Sequence, residues 1–314
     1  MRKKSTDALR NLQEDAVAMA DWIKEIQYDE GRIMKVRILT GLCIAALGIP
    51  LLIFSHLIIY PIVLAALSLI ALYEFYRVMR VEKNLALTIP TYLIGMAFPI
   101  LAYFLSGEGM KSLHILSYIT LALFVYMFYA FFVAVLNHHK QNMSSVDVMK
   151  CFFVTAFITL SFTSLSIIRY IPNGSYFIAL VFIASWATDI FAYFFGSFFG
   201  KHKLAPVVSP KKSIEGAIAG TVGCTLCFVL YGYIVVTFFG APSANYLYLA
   251  LSGVILSIIA QIGDLSCSLV KREYGVKDYG NIFPGHGGVV DRFDSVIAVS
   301  TILMVICTFF PPIG

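Results

Sequence analysis

Charge is what this sequence has least of. Only 13% of its 314 residues are charged and 59% are hydrophobic, with a mean hydropathy of +0.83, where a soluble domain would be roughly a quarter charged. That scarcity excludes an ordinary soluble chain and implies an integral membrane protein. Cysteine is sparse too. The six (43, 151, 224, 227, 267 and 307) fall almost entirely within apolar runs, which excludes the disulfide framework of a secreted domain. Cys224 and Cys227 form a C-x-x-C, read here as two small apolar side chains in a membrane helix. The first 30 residues have no apolar h-region, so no signal peptide is expected. No internal repeat is visible, which argues against a transporter built from repeated halves.

What the chain has in plenty is apolar runs, each near the ~20 residues that span a bilayer. They cover about 36 to 55, 57 to 79, 85 to 105, 113 to 136, 148 to 170, 175 to 199, 213 to 239, 246 to 269 and 289 to 310. The fold class is therefore an all-α integral membrane protein with about nine transmembrane helices and a polar, cytoplasmic-side active site. The short break at Ser55 and His56 leaves a re-entrant pair as the alternative for the first two runs. All but Lys111 and Arg169 of the 23 lysines and arginines fall on the side that holds the N-terminus, and such a bias marks the cytoplasm. Three regions follow: a cytoplasmic amphipathic segment at 1 to 34, N-terminal membrane helices at 35 to 147, and a catalytic membrane domain at 148 to 314. In the first, Leu9, Leu12, Ala16, Met19, Ile23 and Ile26 make one apolar helical stripe. Its acidic excess suits packing on the protein's own body or a second subunit better than binding anionic lipid.

Polar residues concentrate in three places. The densest is 268 to 295, SLVKREYGVKDYGNIFPGHGGVVDRFDS. Its cations suit an anionic ligand, and carboxylates in their midst suit a hard divalent metal on that ligand. Asp264 and Asp291, on facing helices, are an economical pair for magnesium. Asp294 shares a helical face with Asp291, while Arg292 is expected to point elsewhere. Pro284, Gly285, Gly287 and Gly288 make a tight turn where a ligand could approach the backbone, and His286 is open between phosphate contact, acid and turn residue. The second place is 201 to 216, a loop broken by Pro206 and Pro210. Ser213 is its expected helix N-cap, and Lys211 and Lys212 stand where a phosphate would also find free helix-start N–H groups. Third come ionisable groups within the spans. Asp189 has no basic residue within one turn and reads as functional; Glu74 reads as structural, paired with Arg77 or sited at the interface. Gly196 with Gly200 and Gly216 with Gly220 satisfy G-x-x-x-G, for packing within the subunit or for dimerisation.

These residues carry a resemblance. Ser268, Lys271, Arg272, Lys277, Asp278, Pro284, His286, Gly287, Gly288, Asp291, Arg292 and Asp294 resemble the signature of phosphatidate cytidylyltransferases, also called CDP-diacylglycerol synthases. So do D-x-x-A-Y at Asp189 to Tyr193 and S-P-K-K-S-x-E-G at Ser209 to Gly216. The likeness covers the second half of the chain, while residues 1 to 34 have no placeable counterpart. It implies the reaction of CTP with phosphatidate to give CDP-diacylglycerol and pyrophosphate, a magnesium (Mg2+) centre on Asp264 and Asp291, potassium (K+) as a second cation in some members, and a homodimer. Within that reading Asp264, Asp291, Lys212 and Asp189 carry catalysis, with Asp294 a third metal candidate. The triphosphate falls to Lys211, Lys212 and Ser213, and the lipid phosphate to Lys271, Arg272 or Arg292. Ser209, Lys277, Asp278, His286, Gly287 and Gly288 complete the substrate contacts. A phosphomonoester nucleophile is already anionic near its second pKa of ~6 and needs no strong base, which suits a site with no obvious Ser-His or Cys-His pair. A CTP-dependent polyprenol or phytol kinase and a secondary transporter of an anionic metabolite are the alternatives. The D-G-x-x-A-R opening of a CDP-alcohol phosphotransferase is missing.

Overall fold

The computed structural model describes residues 46, 48, 50–137 and 143–314. The amphipathic segment and most of the first predicted span lie outside them. The described residues form eight helices long and apolar enough to cross a membrane. In chain order they are α1 (Ile59–Val78), α2 (Leu85–Gly107), α3 (Ser112–Asn137), α4 (Ser145–Ile168), α5 (Gly174–Phe199), α6 (Ile214–Phe238), α7 (Tyr246–Glu273) and α8 (Val290–Phe309). They answer the second to ninth predicted spans, and the protein is a multi-pass, all-α membrane protein. The turn between the first two runs falls at Ser55 and His56, as the break in hydropathy predicts.

Burial separates centre from rim. The apolar window of α4 is 72% buried, whereas those of α3 and α6 are 28% buried. α4 is thus the post around which α1, α2, α3 and α8 pack, and α5, α6, α7 and α8 close a second group beside it. Between helices in lipid, small residues and hydroxyls do much of the joining. Tyr76 Oη and Thr155 Oγ1 share a hydrogen bond of 2.7 Å between α1 and α4, and Ser161 Oγ donates to Ile297 O across α4 and α8 at 2.7 Å. Thr188 Oγ1 donates to Ser257 Oγ at 2.8 Å between α5 and α7.

The G-x-x-x-G pairs prove to be packing within the subunit. A Cβ on Gly216 would stand 2.7 Å from Ala192 O and 3.0 Å from Gly196 Cα, and one on Gly220 would stand 2.9 Å from Thr188 O. Backbone therefore meets backbone where α5 crosses α6, and these glycines are not available to a second subunit.

The proline-interrupted loop is more ordered than its sequence suggests. β1 (Lys203–Ala205) and β2 (Ser209–Ser213) pair antiparallel, with Lys203 opposite Ser213 and Ala205 opposite Ser209. Pro210 fits because a two-stranded ribbon has only edge strands. The hairpin, the C-terminal ends of α1 and α7 and the start of α8 all lie at one end of the bundle, where the contacts below join them.

Candidate active site

The hairpin is clasped at its base. Glu215, in the first turn of α6, accepts from Lys201 N at 3.1 Å and His202 N at 3.2 Å, and its Oε1 lies 2.6 Å from His202 Nδ1. Ser213 caps α6, as predicted, by accepting from Gly216 N at 3.2 Å, while Ile214 N donates to His202 O. The expectation of free N–H groups for a phosphate needs correcting, because two of the first three amides of α6 are already engaged. Attraction for an anion in this place rests on the lysines. Lys212 reaches back into the bundle and pairs with Asp264 Oδ2 at 2.5 Å, and Asp264 Oδ1 accepts from Ser268 Oγ at 3.2 Å.

The 274 to 290 segment is wound around Asp291. Oδ2 accepts from Tyr279 N at 2.7 Å and Gly288 N at 2.9 Å, and Oδ1 accepts from Lys271 Nζ at 2.9 Å. Gly275, Gly285 and Gly287 adopt positive φ of 69°, 73° and 88°, which is why the turn needs glycine. Tyr279 is buried under Phe75, with ring centroids 4.6 Å apart, and its hydroxyl donates to Cys267 O at 2.9 Å. Burial pushes that hydroxyl well above the usual tyrosine range. Neither Tyr279 nor the use made of Glu74 stands out in the sequence. Glu74 accepts from Val289 N at 3.0 Å and Val290 N at 2.8 Å, at the start of α8. Gly288 packs on that carboxylate, so its missing side chain makes room for Glu74 rather than for a ligand.

Three carboxylates from three helices converge here: Asp189 on α5 and Asp294 on α8 line one cavity, and Asp264 on α7 is paired with Lys212, which lines a cleft with Asp189. Asp294 takes Ser295 N on Oδ1 at 2.7 Å. Lys212 shares one cavity with Asp189 and Arg292 another, so the basic groups missing along its own helix arrive from β2 and α8. Asp264 pairs with Lys212, and Lys271 with Asp291, in place of any pairing along α7.

Cavities surround this cluster. A cleft of about 500 Å³ is lined by Asp189, Lys203, Lys211, Lys212, Ser213 and Gln261. An apolar cavity of about 310 Å³, walled by Tyr60, Leu64, Phe162, Leu165 and Trp186, ends at Asp189, Asp291, Arg292 and Asp294. A third cleft, of about 670 Å³, is lined by Lys277, Asp278, Asn281, Phe283, His286, Gly287 and Arg292. The Nδ1 of His286 is buried there without a hydrogen-bond partner among the described residues. Asp189 belongs to the first two cavities and Arg292 to the last two. Arg292 therefore does not point away from the aspartates, as helical spacing alone suggested; in the first turn of α8 the neighbouring loop leaves it space. Of the predicted site residues, Ser209, Asp264, Lys271, Arg272 and Gly288 line none of the three, and Asp264 meets the first cleft only through Lys212. Arg272 instead donates to Val208 O and Val276 O, both at 3.4 Å, linking the hairpin to the glycine-rich segment.

The family model for the cytidylyltransferase family matches residues 35–310. The chain belongs to the cytidylyltransferase family. Proteins named phosphatidate cytidylyltransferase are similar to it over most of its length. That of Staphylococcus haemolyticus is 35% identical over 276 residues, covering 87% of this chain and 98% of the relative. Those of Staphylococcus saprophyticus and Staphylococcus aureus are each 34% identical over the same shares of the two chains. As a cytidylyltransferase, the protein is a nucleotidyl-transferring enzyme of the membrane. The resemblance read from the polar motifs is thus to the family that matches, and the match begins where the unplaced residues 1 to 34 end.

Proposed function

We propose that this cytidylyltransferase makes CDP-diacylglycerol and pyrophosphate from CTP and phosphatidate, in the cytoplasmic half of a bacterial plasma membrane. One observation carries the reading: Asp189 is a wall common to a lysine-lined cleft and an apolar cavity. A triphosphate suits the first, acyl chains suit the second, and their reacting ends would meet at the partition. An oxygen of the lipid phosphate attacks the α-phosphorus of CTP, the bond to the β-bridging oxygen breaks, and pyrophosphate leaves with that electron pair. Lys211 and Lys212, aided by Ser213, would hold the leaving phosphates, and Arg292 would draw the lipid phosphate toward the aspartates. Catalysis by alignment and charge neutralisation is what phosphoryl transfer asks of a protein.

A hard cation fits the donor chemistry. Asp189, Asp264 and Asp294 offer only carboxylate oxygens, though among the described residues no three His, Cys, Asp or Glu form a ready ligand cluster. Magnesium tolerates that, since it keeps several waters and takes further ligands from phosphate oxygens. Asp264 and Asp294 are the residues that would hold it, Asp264 by giving up Lys212 from Oδ2 to the incoming phosphates; Asp291 would join only by releasing Lys271 from Oδ1. Bound there, the metal would supply charge neutralisation at the α-phosphate, with potassium as a second cation. A dimer also belongs to this reading and would use a face other than the α5–α6 glycines.

Label position tests the reaction. With phosphatidate as acceptor, label from the α-phosphate of CTP should enter the lipid and label from the γ-phosphate should not. Transfer of γ-label to a lipid alcohol would instead make the chain a kinase.

A further inference from the structure

Glu74 is a carboxylate buried to 2% exposure in α1, far in sequence from every motif of the site. Burying such a group is costly unless donors satisfy it. Its donors are the backbone N–H groups of Val289 and Val290, one to each oxygen, at 3.0 and 2.8 Å. α8 begins at Val290 with no side-chain cap of its own, so the unpaired amides of its first turn are met by a carboxylate from another helix, where negative charge is favoured. The preceding segment wraps the same group: a Cβ on either Gly280 or Gly288 would run into the Glu74 carboxylate. Beside it, Phe75 packs on Tyr279. α1 packs chiefly on α2 and α4 and touches α8 little, so Glu74 is its main hold on that helix.

We propose that Glu74 is a positioning residue, which fixes the first turn of α8 and thereby sets where Asp291, Arg292 and Asp294 stand relative to the cavities. Val289 and Val290 immediately precede Asp291, and Asp291 in turn holds Tyr279 N and Gly288 N. Loss of the Glu74 cap therefore loosens the glycine-rich segment and shifts the acceptor side of the site. The lysine-lined cleft stays, because Glu215, Ser213 and the α5–α6 glycines build it independently of α1. This deepens the reading of the site given above and rests on it for its kinetic consequence alone.

The test uses the full chain, purified in detergent, as wild type, Glu74→Gln and Glu74→Asp. Gln keeps the shape but turns an amide NH2 toward one of the two N–H groups; Asp keeps the charge but is one methylene short. Hydrogen exchange of the peptide spanning 286 to 296 should speed up in both by on the order of tenfold, with the hairpin and α6 unchanged. Turnover should fall by about tenfold or more while KM for CTP moves less than about twofold, the pattern of a lost transition-state contact rather than lost nucleotide binding. Wild-type exchange and turnover in both variants would overturn the proposal. So would faster exchange throughout the bundle, or failure of both variants to fold, since Glu74 would then support the whole molecule and not this turn. A wild-type chain without turnover would count against the proposed reaction, and the exchange readout would still decide the role of Glu74.

Discussion

Asp264 and Asp291 are the same carboxylate in different company. Asp291 has a side chain 2% exposed, and its two oxygens accept two backbone N–H groups and an ammonium; Asp264 is 24% exposed and faces Lys212. Breaking a buried ion pair by removing one partner costs ~3–5 kcal/mol; the Lys212 ammonium is buried too, but its half-open partner Asp264 leaves room for water to take part of that cost. Asp291→Asn should accordingly lose both turnover and several degrees of Tm, and Asp264→Asn should lose turnover with a smaller loss of Tm. Thermal unfolding in detergent, read beside activity, checks this; equal Tm losses would contradict the separation. At this scale the sequence was legible where charge type decides. Lys211, Lys212, Asp189, Asp264, Asp294 and Arg292 could be picked as chemistry-bearing because ionisable groups are rare in such a chain. Partner choice was not legible. Nothing local says that Lys212 meets Asp264, 52 residues on, or that Arg272 serves backbone carbonyls, and Glu74 looked like a partner for Arg77 because its real partners are amides at the far end of the chain.

Among the elements, the α5–α6 crossing matters most to the site, since α5 brings Asp189 and α6 is entered from Lys212. Gly216 and Gly220 let the two backbones touch. Gly220→Leu should push them apart, at the ~1–3 kcal/mol typical of overpacking a tight interior, and turnover should fall with it. Gly240→Leu would not be a fair control, because its φ of 73° would itself strain leucine; Gly48→Leu, with nothing among the described residues near its Cβ, should leave Tm unchanged. Tm in detergent checks both, and an unaltered Gly220→Leu protein would refute the close crossing. The helices were readable from hydropathy because each must fill a bilayer. The hairpin was not, since strands of three and five residues carry too little alternation to be seen, and its prolines masked the pairing.

For the molecule as a whole, the described residues form a membrane bundle with the charged groups of the site gathered at one end, joined to an apolar cavity through Asp189 and Arg292. Hydropathy predicted the bundle, because each helix must fill a bilayer. The joined cavities depend on how α1, α4, α5 and α8 pack, which no single stretch encodes. The central claim is that this end couples CTP to a membrane-embedded phosphatidate. Its most direct measurement is the simultaneous assay of CDP-diacylglycerol and pyrophosphate on detergent-purified protein, with and without a chelator, for wild type and Asp264→Asn. The account predicts equimolar products, none after chelation, recovery on adding magnesium, and loss in the variant. Lipid product without pyrophosphate, or turnover indifferent to both chelator and Asp264→Asn, would contradict it.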